Sequence, residues 1–67
     1  MIVLNGEPCE LADGATVVVA LDRLGVENRD RGVAVAVDGE VVPRAEWQSF
    51  ALADGARVEV LKAMQGG

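Results

Sequence analysis

Four Asx-Gly dipeptides, Asn5-Gly6, Asp13-Gly14, Asp38-Gly39 and Asp54-Gly55, divide a chain of only 67 residues into short pieces. Asn-Gly and Asp-Gly tolerate positive φ at both positions and so favour the tightest hairpins. Between such turns there is room for short strands and one short helix. A domain this small buries only about 60% of the surface its unfolded chain exposes, so one thin core is expected.

Ile2-Val3-Leu4 is an apolar run ended by Asn5-Gly6, with Pro8-Cys9-Glu10-Leu11 as the returning strand. Proline lacks a backbone donor, which places that strand at an edge or makes Pro8 its start. Thr16 to Leu24 carries two signals. Val17-Val18-Val19 is β-branched and suits a strand. Thr16 suits an N-cap and Gly25 a C-terminal cap, and Val17, Leu21 and Leu24 share one helical face with Val18 beside them. The caps and the face favour a short amphipathic helix. Val33-Ala34-Val35-Ala36-Val37 alternates with the period of a strand, its valines toward the helix and its alanines away. Asp38-Gly39 returns the chain through Glu40-Val41-Val42. Pro43 suits the first position of a helical turn carrying Ala45, Glu46 and Trp47. Arg57-Val58-Glu59-Val60-Leu61 alternates again, with Val58 and Val60 inward.

The order predicts an α+β fold, a mixed sheet of about five short strands with one main helix packed on one face. The first and last strands would meet at its centre in a β-grasp, or ubiquitin-like, arrangement. The expected division is a β-grasp domain over 1–61 and a flexible C-terminal tail over 62–67, ending in Gly66-Gly67.

Composition excludes several classes. Six basic residues stand against eleven acidic ones, a formal net charge of −5. That balance opposes binding to phosphate backbones. Trp47 and Phe50 are the only aromatic residues, too few to stack bases. One cysteine and no histidine cannot build a zinc site. Without histidine Cys9 also lacks its usual base, and it reads as a semi-buried strand residue. No charged-then-apolar leader precedes the domain, and no apolar run nears the roughly 20 residues of a membrane helix. The expectation is a cytoplasmic protein without nucleic-acid or membrane partners. No catalytic constellation is present, so the chain is not expected to be an enzyme.

The chemistry-bearing group is then the C-terminal carboxylate of Gly67. Glycine has no Cβ and fits a narrow channel in strained conformations. A partner could thread Met64, Gln65 and Gly66 into its active site and reach the carboxylate. With a reference pKa of about 3.5 that group is ionised at neutral pH and is a poor electrophile. ATP can activate it as an acyl adenylate, and a sulfur nucleophile can displace the adenylate to leave a thiocarboxylate.

The segment Val35-Ala36-Val37-Asp38-Gly39-Glu40-Val41-Val42-Pro43-Arg44, with Trp47 after it, resembles the ThiS family, the sulfur carriers of thiamine biosynthesis. Leu52, Asp54-Gly55, Arg57-Val58-Glu59-Val60 and Gly66-Gly67 continue the resemblance over essentially the whole chain. It implies a β-grasp fold and adenylation of Gly67 by an E1-like adenylyltransferase that uses ATP and magnesium, with no cofactor bound to the carrier itself. It further implies sulfur from a cysteine desulfurase or related donor, and delivery to thiazole synthase. Asp38 stands where the family often has Asn, and Lys62 where many relatives are uncharged. Other carriers share the terminal glycines. The small subunit of molybdopterin synthase, a ubiquitin-like protein modifier and a non-covalent β-grasp interaction module are the alternative readings.

Four further residues are candidate partner contacts: Ala34, Ala36, Arg44 and Lys62. The two alanines leave a smooth outer sheet face, readable as a docking patch or as ordinary scattered apolar surface. Arg44 could steer the tail into an acidic channel or lie in solvent, and solvent is the expectation. Trp47 could be a partner contact, but in so thin a core it is expected to pack. Asn5-Gly6, Asp38-Gly39 and Asp54-Gly55 are read as turn chemistry alone.

Overall fold

A computed structural model describes residues 1–26 and 32–62. Strand β1 (Ile2–Leu4) and strand β2 (Glu7–Cys9) form the first hairpin. Helix α1 (Val17–Arg23) follows. Strands β3 (Val33–Val37) and β4 (Glu40–Val42) form the second hairpin, a 3-10 turn covers Arg44–Glu46, and β5 (Arg57–Lys62) closes the fold. The five strands make one sheet in the order β2-β1-β5-β3-β4. The terminal strands β1 and β5 run parallel at its centre, and β3 lies antiparallel on the other side of β5. This is the expected β-grasp plan.

Both hairpins turn on two residues. Asn5 and Asp38 hold φ of 49° and 51°, and the glycine after each is also positive. Two successive positive φ values match the right-handed twist of the flanking strands. Pro8 sits on the edge strand β2, where its missing donor costs no ladder bond. That strand ends at Cys9, so Glu10 and Leu11 lie outside it.

Helix α1 has only seven residues, and it is secured by distant carbonyls at its start and by a local cap at its end. Thr16 is the N-cap residue but its side chain makes no capping bond. Instead Val17 and Val18 donate their N–H groups to the carbonyls of Phe50 and Trp47, at 3.1 and 3.3 Å. At the other end Gly25, with φ of 72°, donates to the carbonyl of Asp22, and Val26 donates to that of Leu21. These two bonds make a Schellman cap. The reversal shifts the buried face: Val17, Ala20 and Leu21 point inward, whereas Leu24 lies past the last turn and is exposed. The place expected for Leu24 on that face goes to Ala20, while Val26 packs on the core from beyond the cap.

The core lies between α1 and one face of the sheet. Val33, Val35 and Val37 face it from β3, with Val58 from β5 and Ile2 and Leu4 from β1. Each fully buried valine or leucine contributes about 1.5–3 kcal/mol. Pro43 lies just before the 3-10 turn as its N-cap rather than in its first position.

Candidate functional site

The expected reactive group, the Gly67 carboxylate, and the tail residues Met64, Gln65 and Gly66 lie outside the described residues. What the structure shows is the root of that tail. Lys62 is the last residue of β5 and pairs with Val33, so the strand runs one residue beyond the expected boundary at Leu61. The tail therefore departs from the middle strand of the sheet.

Two hairpin residues hold that strand by their side chains. The Val60 N–H donates to Oδ1 of Asn5 at 2.8 Å. The Arg57 N–H donates to Oδ1 of Asp38 at 3.0 Å. Asn5-Gly6 and Asp38-Gly39 thus do more than turn the chain, which corrects the reading of them as turn chemistry alone. No sequence signal pairs these residues with β5. The link appears only once the strand order is known.

Around the root, the sheet face away from α1 carries small and apolar side chains. Ala34 is exposed and pairs with Leu61. Ala36 is half-buried, between Glu59 on β5 and Val41 on β4. Leu61 and Val41 are 64% and 75% exposed, high values for large apolar residues, and they widen the patch that the alanines suggested. The sequence reading passed over both. Val41 could have been found, since adjacent Val41 and Val42 cannot both face the core of one strand. Arg57 and Glu59 cross the same face.

Trp47 is a core residue, 2% exposed, and its Nε1–H donates to the Val42 carbonyl at 2.8 Å. Arg44 is exposed, as expected, but it does not lie loose in solvent. Its guanidinium stacks over the Trp47 ring, 4.4 Å from the centroid. Cys9 is a half-buried free thiol on β2 that packs against the core. Among the described residues no cluster of histidine, cysteine, aspartate and glutamate could hold a metal ion. None of the described helices is long and apolar enough to cross a membrane.

The described surface thus offers an apolar face and a firmly held strand leading to the tail. Comparison with known proteins agrees with this organisation. The sulfur carrier protein ThiS of Thermus thermophilus is 43% identical over 67 residues, covering 100% of both chains. A thiazole synthase of Paramagnetospirillum magneticum is 35% identical over 66 residues, 98% of this chain but only 20% of that longer one. The crystal structure of thiamine biosynthesis protein ThiS from Geobacter metallireducens superimposes with a TM-score of 0.77 at 32% identity, covering 98% of this chain and 97% of that one. The model of the ThiS family matches residues 2–67, the terminal glycines included. The chain belongs to the ThiS family.

Proposed function

We propose that this protein is a sulfur carrier of thiamine biosynthesis, a co-substrate of partner enzymes rather than an enzyme itself. The observation that carries the reading is the family match, which extends to Gly67. The carboxylate of Gly67 attacks the α-phosphate of ATP in an E1-like adenylyltransferase that uses magnesium. Pyrophosphate leaves and an acyl adenylate forms. The outer sulfur of a persulfide, carried by a cysteine desulfurase or related donor, displaces AMP to give an acyl disulfide. A second thiol then attacks the donor's sulfur in that S–S bond, which releases the thiocarboxylate and leaves a disulfide on the donor.

Thiazole synthase is the acceptor in this scheme. Support comes from the thiazole synthase of P. magneticum, part of which is similar to this chain, so a carrier-like segment and the synthase share one polypeptide there. Residues 63–67 serve as the reach of the carrier, with Met64, Gln65 and Gly66 passing into the partner's active site. Fully extended, five residues span at most about 18 Å. The partner docks on the face formed by Ala34, Ala36, Val41 and Leu61, while Lys62, paired with core-facing Val33, contacts it from the opposite side of the strand end and Arg44 from farther out. This all takes place in the cytoplasm.

The test is the intact mass of untagged protein purified from its own cells, with fragmentation of the C-terminal peptide. Replacement of one oxygen by sulfur at Gly67 is expected. A plain carboxylate that persists after incubation with ATP, the cognate adenylating enzyme and a sulfur source would overturn the carrier reading.

A further inference from the structure

Strand β1 is too short to accompany β5 to its end. The parallel pairing runs through Val3 with Arg57 and Leu4 with Val58, and the chain then turns away at Asn5-Gly6. Asn5 makes the last contacts on that edge. Its own N–H donates to the Val58 carbonyl at 2.9 Å. A continuing strand would next offer a backbone carbonyl to the Val60 N–H. Oδ1 of Asn5 takes that place at 2.8 Å. One side chain thus lengthens the ladder by a rung, two residues before Lys62 and the tail. A shallow open notch of about 560 Å³ lies beside this contact, lined by Val3, Gly6, Arg57, Glu59 and Leu61 among others.

We infer that Asn5 is a positioning residue, which fixes the root of the tail through Val60 and so sets how often the Gly67 carboxylate reaches a partner's active site. This rests on the carrier reading above. Without the Oδ1 acceptor, the edge of β5 facing β1 is released from Val60 onward. The end of β5 is then held by β3 alone, through the pairing of Leu61 with Ala34 and Lys62 with Val33. The root of the tail can pivot about that pairing, so the tail leaves the body over a wider range of directions and its effective concentration at a partner's active site falls.

Two substitutions isolate the acceptor. Asn5→Gly removes it and keeps the positive φ, whereas Asn5→Asp keeps both. Amide exchange and ATP–pyrophosphate exchange with an E1-like adenylyltransferase are measured on all three chains. Asn5→Gly should speed exchange of the Val60 amide about five-fold, the usual worth of one net hydrogen bond. The Glu59 and Leu61 amides, which alternate with it toward β3, should stay within two-fold of the unaltered chain. The kcat of pyrophosphate exchange should fall two- to five-fold at unchanged KM, and Asn5→Asp should restore it. A purely structural role would slow nothing at saturating carrier. Unchanged Val60 exchange or unchanged kcat in Asn5→Gly, or an Asn5→Asp chain as slow as Asn5→Gly, would each overturn the inference. Failure of the unaltered chain to support any pyrophosphate exchange would instead sink the carrier reading, and this inference with it.

Discussion

Asp38 and Arg57 exchange two hydrogen bonds: the Asp38 N–H donates to the Arg57 carbonyl at 2.8 Å, and the Arg57 N–H donates to the Asp38 carboxylate at 3.0 Å. One turn residue thereby continues the pairing of β3 with the first residue of β5. Its backbone sits in the left-handed region, with φ of 51°. Asp38→Asn keeps both the acceptor and the tolerance for that conformation, and stability should change by less than about 0.5 kcal/mol. Asp38→Ala loses both. Urea denaturation should show a loss of about 2 kcal/mol, part from the hydrogen bond and part from the strained alanine.

Trp47 is held by packing and by one polar contact, and two substitutions separate them. Trp47→Phe keeps most of the ring volume but leaves the buried Val42 carbonyl without its donor, a cost of about 1–3 kcal/mol. Trp47→Ala adds a cavity and should cost about 3–5 kcal/mol, enough to unfold much of so small a domain. Arg44→Ala removes the exposed guanidinium over the ring, a contact worth about 0.5–1 kcal/mol. Thermal and chemical unfolding should rank Trp47→Ala as the most destabilising, Trp47→Phe next and Arg44→Ala last.

The N-terminus contributes a pH dependence with two limbs. The Met1 ammonium donates to the Asp54 carboxylate, and the Gly55 N–H donates to the Met1 carbonyl at 2.6 Å. The hydrogen bond from Met1 is the main cause holding the Asp54 carboxyl below its ordinary 3.8. The same bond chiefly raises the ammonium above its ordinary 8.0, with smaller help from the charges of Asp54, Glu10 and Asp13 and opposition from desolvation. The pair's stabilisation is therefore fully present between about pH 4 and pH 8. It is lost as pH falls through the lowered Asp54 value, and as pH rises through the raised Met1 value. Both groups are exposed, so the effect is small and salt screens it. Asp54→Asn or N-terminal acetylation should flatten the alkaline limb of a plot of Tm against pH. An alkaline limb of the same size in both would refute this assignment.

The open sheet face should separate docking from folding. Val41 is largely exposed, so Val41→Lys should alter stability by no more than about 0.5 kcal/mol. In the adenylation assay it should raise KM by about ten-fold, the effect of losing an apolar contact near the centre of an interface.

Deleting Gly67 should leave Tm unchanged, since nothing in the described core depends on it, and should abolish thiocarboxylate formation. Retention of sulfur transfer by the shortened chain would favour a non-covalent role for the sheet.

Much of this was legible in the sequence because short-range chemistry dictates it. Asn5-Gly6 and Asp38-Gly39 demand two-residue hairpins, and the alternation from Val33 to Val37 admits one orientation toward the helix. Other features depend on partners distant in the chain. The Thr16 side chain makes no cap because carbonyls some thirty residues away satisfy the first helical N–H groups. Leu24 leaves the buried face because the Gly25 cap comes one residue too early for it. Arg44 stacks on Trp47 because the 3-10 turn brings residues three apart to one side. The grip of Asn5 on Val60 joins residues 55 apart, a separation that no local pattern encodes. For the candidate site, the sequence supplied the carboxylate and the two alanines, and strand alternation could have supplied Val41, while the anchoring of β5 by Asn5 and Asp38 required the sheet order.

The central place of β5 also determines how the body bears a pull. A partner that draws the tail into its active site applies tension along this strand. Its neighbours, parallel β1 on one side and antiparallel β3 on the other, are then loaded sideways across several hydrogen bonds at once. Peeling an edge strand would break such bonds singly, and shearing a middle strand must break them together. The carrier can thus be tugged hard by its tail, and the load reaches the whole sheet before any one strand comes away.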